Sequence, residues 1–164
     1  MSEAYPVIEI EEDWVLKPEQ LGSKEKFWFR DPSDEKQNNW LFKYPTPGTG
    51  QHWAEKIAYE IAGEMKILAP KVELAVFDGQ QGSATISFTD TNYELFHGNQ
   101  ILAGMDNKYD PAKSGRQQMH TVQRIMASFE IFVDAEFADR CRLEMAEYLV
   151  FDAVIGNVDR HHEN

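Results

Sequence analysis

The stretch Phe151-Asp152-Ala153-Val154-Ile155-Gly156-Asn157-Val158-Asp159-Arg160-His161-His162-Glu163-Asn164 changes character halfway along. Its first residues finish a run from about Asp139 to Ile155 in which Leu143, Ala146, Leu149, Val150, Ala153 and Val154 recur at helical spacing. That run is apolar on nearly every side toward its end, which predicts a buried helix. Ile155-Gly156-Asn157-Val158 reads as the helix stop. The polar residues from Asp159 to Asn164 therefore emerge together at a helix exit.

Working backward, helical patterns dominate the second half of the chain, with a further helix expected from about Arg116 to Phe132. Before it lie a segment rich in turn formers, Tyr109 to Gly115, and an irregular segment holding His97-Gly98-Asn99, which reads as a structural turn. The first half alternates short strand-like runs with turn residues. Strands are expected at Val7 to Val15, Lys24 to Arg30, Trp40 to Tyr44, Val72 to Phe77 and Ser83 to Phe88. The polar connections Asp31 to Asn39 and Asp78 to Gly82 suggest two antiparallel hairpins. One amphipathic helix, Gln51 to Ile67, interrupts them, with Trp53, Ala54, Ile57, Ala58, Ile61, Ala62 and Met65 on its apolar face. The fold class is α+β, divided at residues 1–89 and 90–164.

Composition narrows the partners. A net charge of -12 over 164 residues argues against broad contact with nucleic acid or an anionic membrane, both of which need clustered Lys and Arg. Cys141 is the only cysteine, which rules out an intramolecular disulfide and suits a reducing compartment. No apolar run approaches the ~18 residues of a membrane span, and the first residues lack the pattern of a secretory signal. A cytoplasmic location is the expectation.

The chemistry resides in the terminal loop. Phosphoryl transfer needs a carboxylate to orient the attacking hydroxyl and oxygen ligands for magnesium, and an Asp-x-x-x-x-Asn spacing supplies both from one loop. Asp159 and Asn164 have that spacing. Asp159 is the candidate catalytic base, Asn164 the candidate Mg²⁺ ligand, and Arg160 or His161 a group steadying the loop or the phosphate. A zinc reading of His161, His162 and Glu163 fails because adjacent side chains seldom converge on one ion. Asp152, an acid inside an apolar helix, reads as a buried acceptor bracing the loop.

Asp159-Arg160-His161-x-x-Asn164 resembles the catalytic loop of phosphatidylinositol kinases, and the longer stretch from Phe151 to Asn164 resembles the corresponding segment of HipA-like kinases. Three upstream segments extend the second resemblance. Leu21-Gly22-Ser23-Lys24-Glu25-Lys26-Phe27 is similar to that family's glycine turn and first nucleotide-covering strand, Trp40-Leu41-Phe42-Lys43-Tyr44-Pro45 to its lysine strand, and Trp53-Ala54-Glu55-Lys56 to the start of its regulatory helix. The resemblance implies a kinase-like N-terminal lobe with an antiparallel sheet and one regulatory helix, followed by the first helices of an incomplete helical C-terminal lobe. It implies ATP and Mg²⁺ as cofactors, Lys43 on the α- and β-phosphates with Glu55 holding it, Gly22 and Ser23 toward the phosphates, and backbone groups near Phe88 and Thr89 facing adenine. Glu19 and Gln20 stand where the family's namesake has a serine open to phosphorylation. Independently, Lys43 lies in an otherwise apolar strand, and a partly buried lysine needs a partner; a solvent-facing lysine is the alternative. Gly48-Thr49-Gly50 reads as a connection, with a phosphate nest as its alternative.

The second magnesium ligand of such kinases, an aspartate beyond a following strand pair, is not reached by Asn164. The expected activity is transfer of the ATP γ-phosphate to a protein serine or threonine hydroxyl. A lipid hydroxyl is the alternative substrate, and a catalytically incomplete fragment that binds nucleotide or a partner is the alternative class. A second polypeptide completing the helical lobe is the expected partner if the chain acts as it stands.

Overall fold

Short strands with bulky aromatics at alternate positions decide the architecture of the first half. The computed structural model describes residues 4–19, 25–89, 94–112 and 119–162. It divides into two compact units, Met1–Asp90 and Thr91–Asn164.

The first unit holds β1 (Val7–Ile10), β2 (Val15–Pro18), β3 (Lys26–Phe29), β4 (Trp40–Lys43), α1 (Gln51–Glu64), β5 (Val72–Phe77) and β6 (Gln80–Ile86). They form one six-stranded sheet in the order β1-β5-β6-β4-β3-β2. β1 runs parallel to β5, and every other neighbouring pair is antiparallel. Strand alternation sends Phe27, Phe29, Trp40, Phe42, Ala75 and Ala84 into a common core with Ile10. Aromatic rings supply its contacts: the Phe27 centroid lies 5.0 Å from Phe42 and 4.7 Å from Phe77, and Phe42 lies 4.8 Å from Tyr44. These separations fall within the favoured range for aromatic pairs.

Three sequence expectations are corrected here. Val7 to Val15 is not one strand: a 3₁₀ turn at Glu12–Trp14 separates β1 from β2. The Trp14 N–H donates to the Glu11 carbonyl at 3.1 Å, and the acidic run Glu11-Glu12-Asp13 occupies the bend. β6 begins at Gln80, three residues before the expected Ser83, because Asp78 and Gly79, at φ 47° and 71°, make a two-residue turn. Two positive φ values there match the twist that antiparallel strands require. In α1 the buried residues are Lys56 and Ala62, while Trp53 and Ile57 of the expected apolar face are about half exposed.

The second unit holds α2 (Gly98–Met105), α3 (Val122–Phe132) and α4 (Ala135–Ile155). His97-Gly98-Asn99 is therefore the start of a helix rather than a turn. The Gln100 side chain accepts the His97 backbone N–H at 2.7 Å, which closes the first turn of α2. Thr121 caps α3 by accepting the Arg124 N–H at 3.3 Å. α4 starts four residues earlier than expected, after Asp134, and ends at Gly156 with φ 68°, the left-handed closure glycine takes without steric cost. Its expected burial is also corrected. α3 covers one side of α4, and Leu143, Val150 and Val154 remain more than half exposed. Among the described residues no helix is long and apolar enough to cross a membrane.

Gly82 fixes how closely β6 approaches β4. A Cβ there would lie 2.4 Å from the Phe42 ring and 2.6 Å from the Lys43 carbonyl oxygen, distances that real side chains do not tolerate. Gly82→Ala is expected to destabilise the chain by about 1–3 kcal/mol, the usual cost of overpacking, read as a lowered midpoint in urea denaturation. An unchanged midpoint would mean that the ladder accepts a side chain there.

Candidate functional site

In the first unit three side chains meet on the sheet face opposite the aromatic core. Because Trp40 and Phe42 point into that core, Leu41 and Lys43 take the other face. Register sets Lys43 directly opposite Ser83 on β6, so the two side chains project together. Glu55, in the first turns of α1, reaches them both. Lys43 Nζ lies 3.4 Å from each Glu55 carboxylate oxygen, and the Ser83 hydroxyl donates to Glu55 Oε2 at 2.7 Å. The Lys43 and Glu55 side chains are 34% and 37% exposed, whereas Ser83 is buried.

The neighbouring Lys56 anchors α1. Its buried ammonium donates to the Val72 carbonyl at 3.0 Å and to Glu73 Oε2 at 2.9 Å, and lies 2.8 Å from Glu60 Oε1. Lys71 adds a second cation to Glu73 at 2.9 Å. Burial alone would lower the Lys56 pKa and raise that of Glu73. Hydrogen bonding to Glu60 and Glu73 outweighs burial and raises Lys56, and bonding to Lys56 and Lys71 likewise lowers Glu73. Both shifts keep the pair charged. Sequence reading missed Lys56 because its place in the helical pattern gives no sign of the carboxylate facing it. Ser83 enters the sequence pattern only as the first residue of an expected strand.

In the second unit the loop after α4 is organised by Asp152. Its carboxylate accepts Arg160 Nε at 2.7 Å, Arg160 Nη2 at 2.9 Å and Asn157 Nδ2 at 2.8 Å. Burial would raise its pKa, yet the bonds from Arg160 and Asn157 prevail and hold it below the usual carboxylate range. These two Arg160 bonds join the loop to α4. Asp159 sits between these anchors with its side chain 81% exposed. Its backbone N–H donates to Asn157 Oδ1 at 3.0 Å, and His161 Nε2 lies 3.6 Å from its Oδ1.

His162 faces inward, 1% exposed, with Nδ1 at 2.6 Å from the Tyr109 hydroxyl. This contact ties the loop to the segment following α2. It too escaped sequence reading, since Tyr109 stands 53 residues away within a turn-rich stretch. A cavity of about 180 Å³ adjoins the loop, lined by Ile101, Leu102, Ile125, Phe129 and Met145 together with His120, Ser128, Arg160 and His161. Most of its lining is apolar.

The other candidates are placed as follows. Phe88 and Thr89 follow the end of β6; Phe88 is exposed, and the Thr89 carbonyl accepts the Ser87 hydroxyl at 2.8 Å. Gly22, Ser23 and Asn164 lie outside the described residues. The Gly48-Thr49-Gly50 segment closes on itself: the Thr49 hydroxyl and N–H both donate to the Thr46 carbonyl, at 2.7 and 3.0 Å. Among the described residues no group of three or more His, Cys, Asp or Glu side chains is placed to hold a metal ion.

Sheet, helix and helical unit define a kinase-like fold, and a solved structure shows the likeness. The chain is similar to the crystal structure of a Helicobacter pylori proinflammatory kinase, CtkA, with a TM-score of 0.75 at 17% sequence identity, over 97% of this chain and 53% of that one. At this identity the likeness is one of fold. The chain spans about half the length of the kinase it matches. No family model and no curated protein matches the sequence.

The lowered pKa values of Asp152 and Glu73 set a pH dependence. Each group binds its proton less readily folded than unfolded, so the unfolded chain takes up more protons in acid. The stability they contribute is present above the ordinary carboxylate pKa and is lost as pH falls through the folded value. Urea midpoints are expected to drop below about pH 4. Asp152→Asn should cost about 1–3 kcal/mol at neutral pH, a range that allows for the partial exposure of Arg160, and should flatten part of the acid slope. An Asp152→Asn profile parallel to the parent's would remove this role.

Proposed function

We propose that the chain is the nucleotide-binding part of a HipA-like, ATP-dependent kinase that passes the γ-phosphate to a protein serine or threonine hydroxyl. The observation that carries this reading is the Lys43–Glu55 pair, with a lysine on a strand and a glutamate on the helix after it, in a kinase-like fold. Lys43 places positive charge against the α- and β-phosphates. Glu55 keeps the ammonium oriented.

Asp159 is the group proposed to meet the substrate hydroxyl. In the transfer, the hydroxyl oxygen bonds to the γ-phosphorus, the bond to the β–γ bridging oxygen breaks, ADP departs, and the hydroxyl proton passes to the Asp159 carboxylate. The exposure of Asp159 and the anchoring on both sides of it support that role. Magnesium, when bound, would offset charge on the phosphates; Asn164 is its proposed ligand from this chain, on the sequence resemblance. Gly22 and Ser23 are proposed toward the phosphates, and Phe88 and Thr89 toward adenine, on the same ground. The proposed setting is the cytoplasm.

The chain's 53% span of the similar kinase favours a second reading, in which these residues bind nucleotide and transfer requires further residues from the same or a second polypeptide. Calorimetric titration with Mg-ATP tests what the two readings share. Lys43→Ala should weaken binding about tenfold or more, and equal affinity would remove Lys43 from the site. Transfer of label from γ-labelled ATP, measured on this chain and on one extended by its downstream coding sequence, separates the readings. Label transfer by the 164-residue chain itself would exclude the incomplete-fragment reading. In whichever form is active, Asp159→Asn should reduce transfer about 100-fold or more while leaving nucleotide affinity near the parent's; retained transfer would end the assignment of Asp159.

A further inference from the structure

We propose that Ser83 is a positioning residue for the phosphate-facing lysine, acting through Glu55; the proposal rests on the nucleotide-binding reading above. The distances differ in kind. The Ser83 hydroxyl meets Glu55 Oε2 at 2.7 Å, within the range of a strong hydroxyl-to-carboxylate bond, while Lys43 Nζ stands 3.4 Å from both carboxylate oxygens, longer than a tight ammonium–carboxylate contact. Glu55 is therefore fixed chiefly by the neutral hydroxyl, and the cation is held loosely beside it.

Burial and register point the same way. Ser83 is 2% exposed, so its hydroxyl has little water to turn to. It is the direct cross-strand partner of Lys43, and Gly82 beside it allows β6 to lie close against Phe42 and the Lys43 backbone. A serine side chain has one rotatable bond before its oxygen and cannot follow a shifting helix far. The bond to Glu55 thus ties the helix glutamate to the strand that faces the lysine.

A loosely held lysine can turn its ammonium toward a phosphate without leaving Glu55 unpartnered, because Ser83 continues to donate to it. Without the hydroxyl, the carboxylate closes on Lys43 as its remaining donor in this cluster. Lys43 is then drawn toward its own glutamate and away from the phosphates, and nucleotide binding weakens.

The test is calorimetry with Mg-ATP on the 164-residue chain carrying Ser83→Ala, Ser83→Cys or Ser83→Thr, together with thermal melting and the carbon-13 carboxylate signal of Glu55, assigned by its loss in Glu55→Gln. Ser83→Ala and Ser83→Cys should each weaken binding about tenfold, the scale of one hydrogen bond to a charged group, with melting close to the parent's. Ser83→Thr, which keeps the hydroxyl, should restore binding to within about threefold. The Glu55 signal should move in the Ala variant without nucleotide and return in the Thr variant. Parent-like affinity in the Ala and Cys variants, alongside weakened binding in Lys43→Ala, overturns the role of Ser83 and leaves the nucleotide reading standing. An unmoved Glu55 signal overturns the contact whether or not nucleotide binds. If the parent chain binds no Mg-ATP, the nucleotide reading fails, and the role of Ser83 falls with it.

Discussion

A buried ammonium cannot stand alone, and much of the first unit is arranged around that constraint. Lys56 is inside because Glu73, Glu60 and the Val72 carbonyl receive it. Leaving Lys56 or Glu73 buried without its partner would cost several kcal/mol, on the order of 3–5. The pair therefore acts less as a source of stability than as a specifier of position. It holds α1 against the start of β5 in one register. Glu55 is the residue before Lys56, so fixing Lys56 fixes where Glu55 emerges, within reach of Ser83 and Lys43. The candidate phosphate-binding lysine inherits its geometry from an ion pair that touches no ligand.

The second unit solves a similar problem differently. A loop leaving a helix must satisfy the last carbonyls and hold its own shape. Gly156 closes the helix, and the Asn157 N–H returns to the Asp152 carbonyl at 2.8 Å. The Asp152 side chain then accepts both Asn157 and Arg160, which bracket Asp159 in sequence. Two carboxylates seven residues apart thus have opposite surroundings. Asp152 is buried and committed to neighbours; Asp159 is exposed on a framework those neighbours define. Sequence alone suggests this division, since one acid lies in an apolar helix and the other beyond its stop.

What the sequence disclosed follows from how local each signal is. The hairpins, α1 and the end of α4 are written in alternation, turn residues and a glycine, all within a few positions of one another. The bend in Val7 to Val15 was hidden because apolar residues flank it on both sides, so the pattern looked continuous. α2 was hidden because eight residues give little periodicity, and His97 is an unusual residue before a helix. The Lys43–Glu55 contact was legible through resemblance, but the residues that surround it were not. Ser83 and Glu73 lie 28 and 17 residues from the side chains they hold, and nothing local marks a serine or glutamate in a strand for such a contact. Longer-range pairing is a property of the sheet order, which places β6 between β5 and β4.

The same sheet order explains why one strand serves two purposes. β6 lies inside the sheet with β5 and β4 on its two edges, and the aromatic core and α1 cover its two faces. Ala84 faces the aromatic core and Ser83 faces α1, while Gly82 gives up its side chain so that Phe42 can come close. Small residues are thus required on both sides, for packing on one and for a short, stiff hydrogen bond on the other. A longer polar residue at position 83 could reach Glu55 from many helix positions; serine reaches it from very few. The narrowness of that reach makes a buried serine a suitable gauge of where the helix lies. It also lets the lysine across the ladder remain loosely paired without the glutamate being lost.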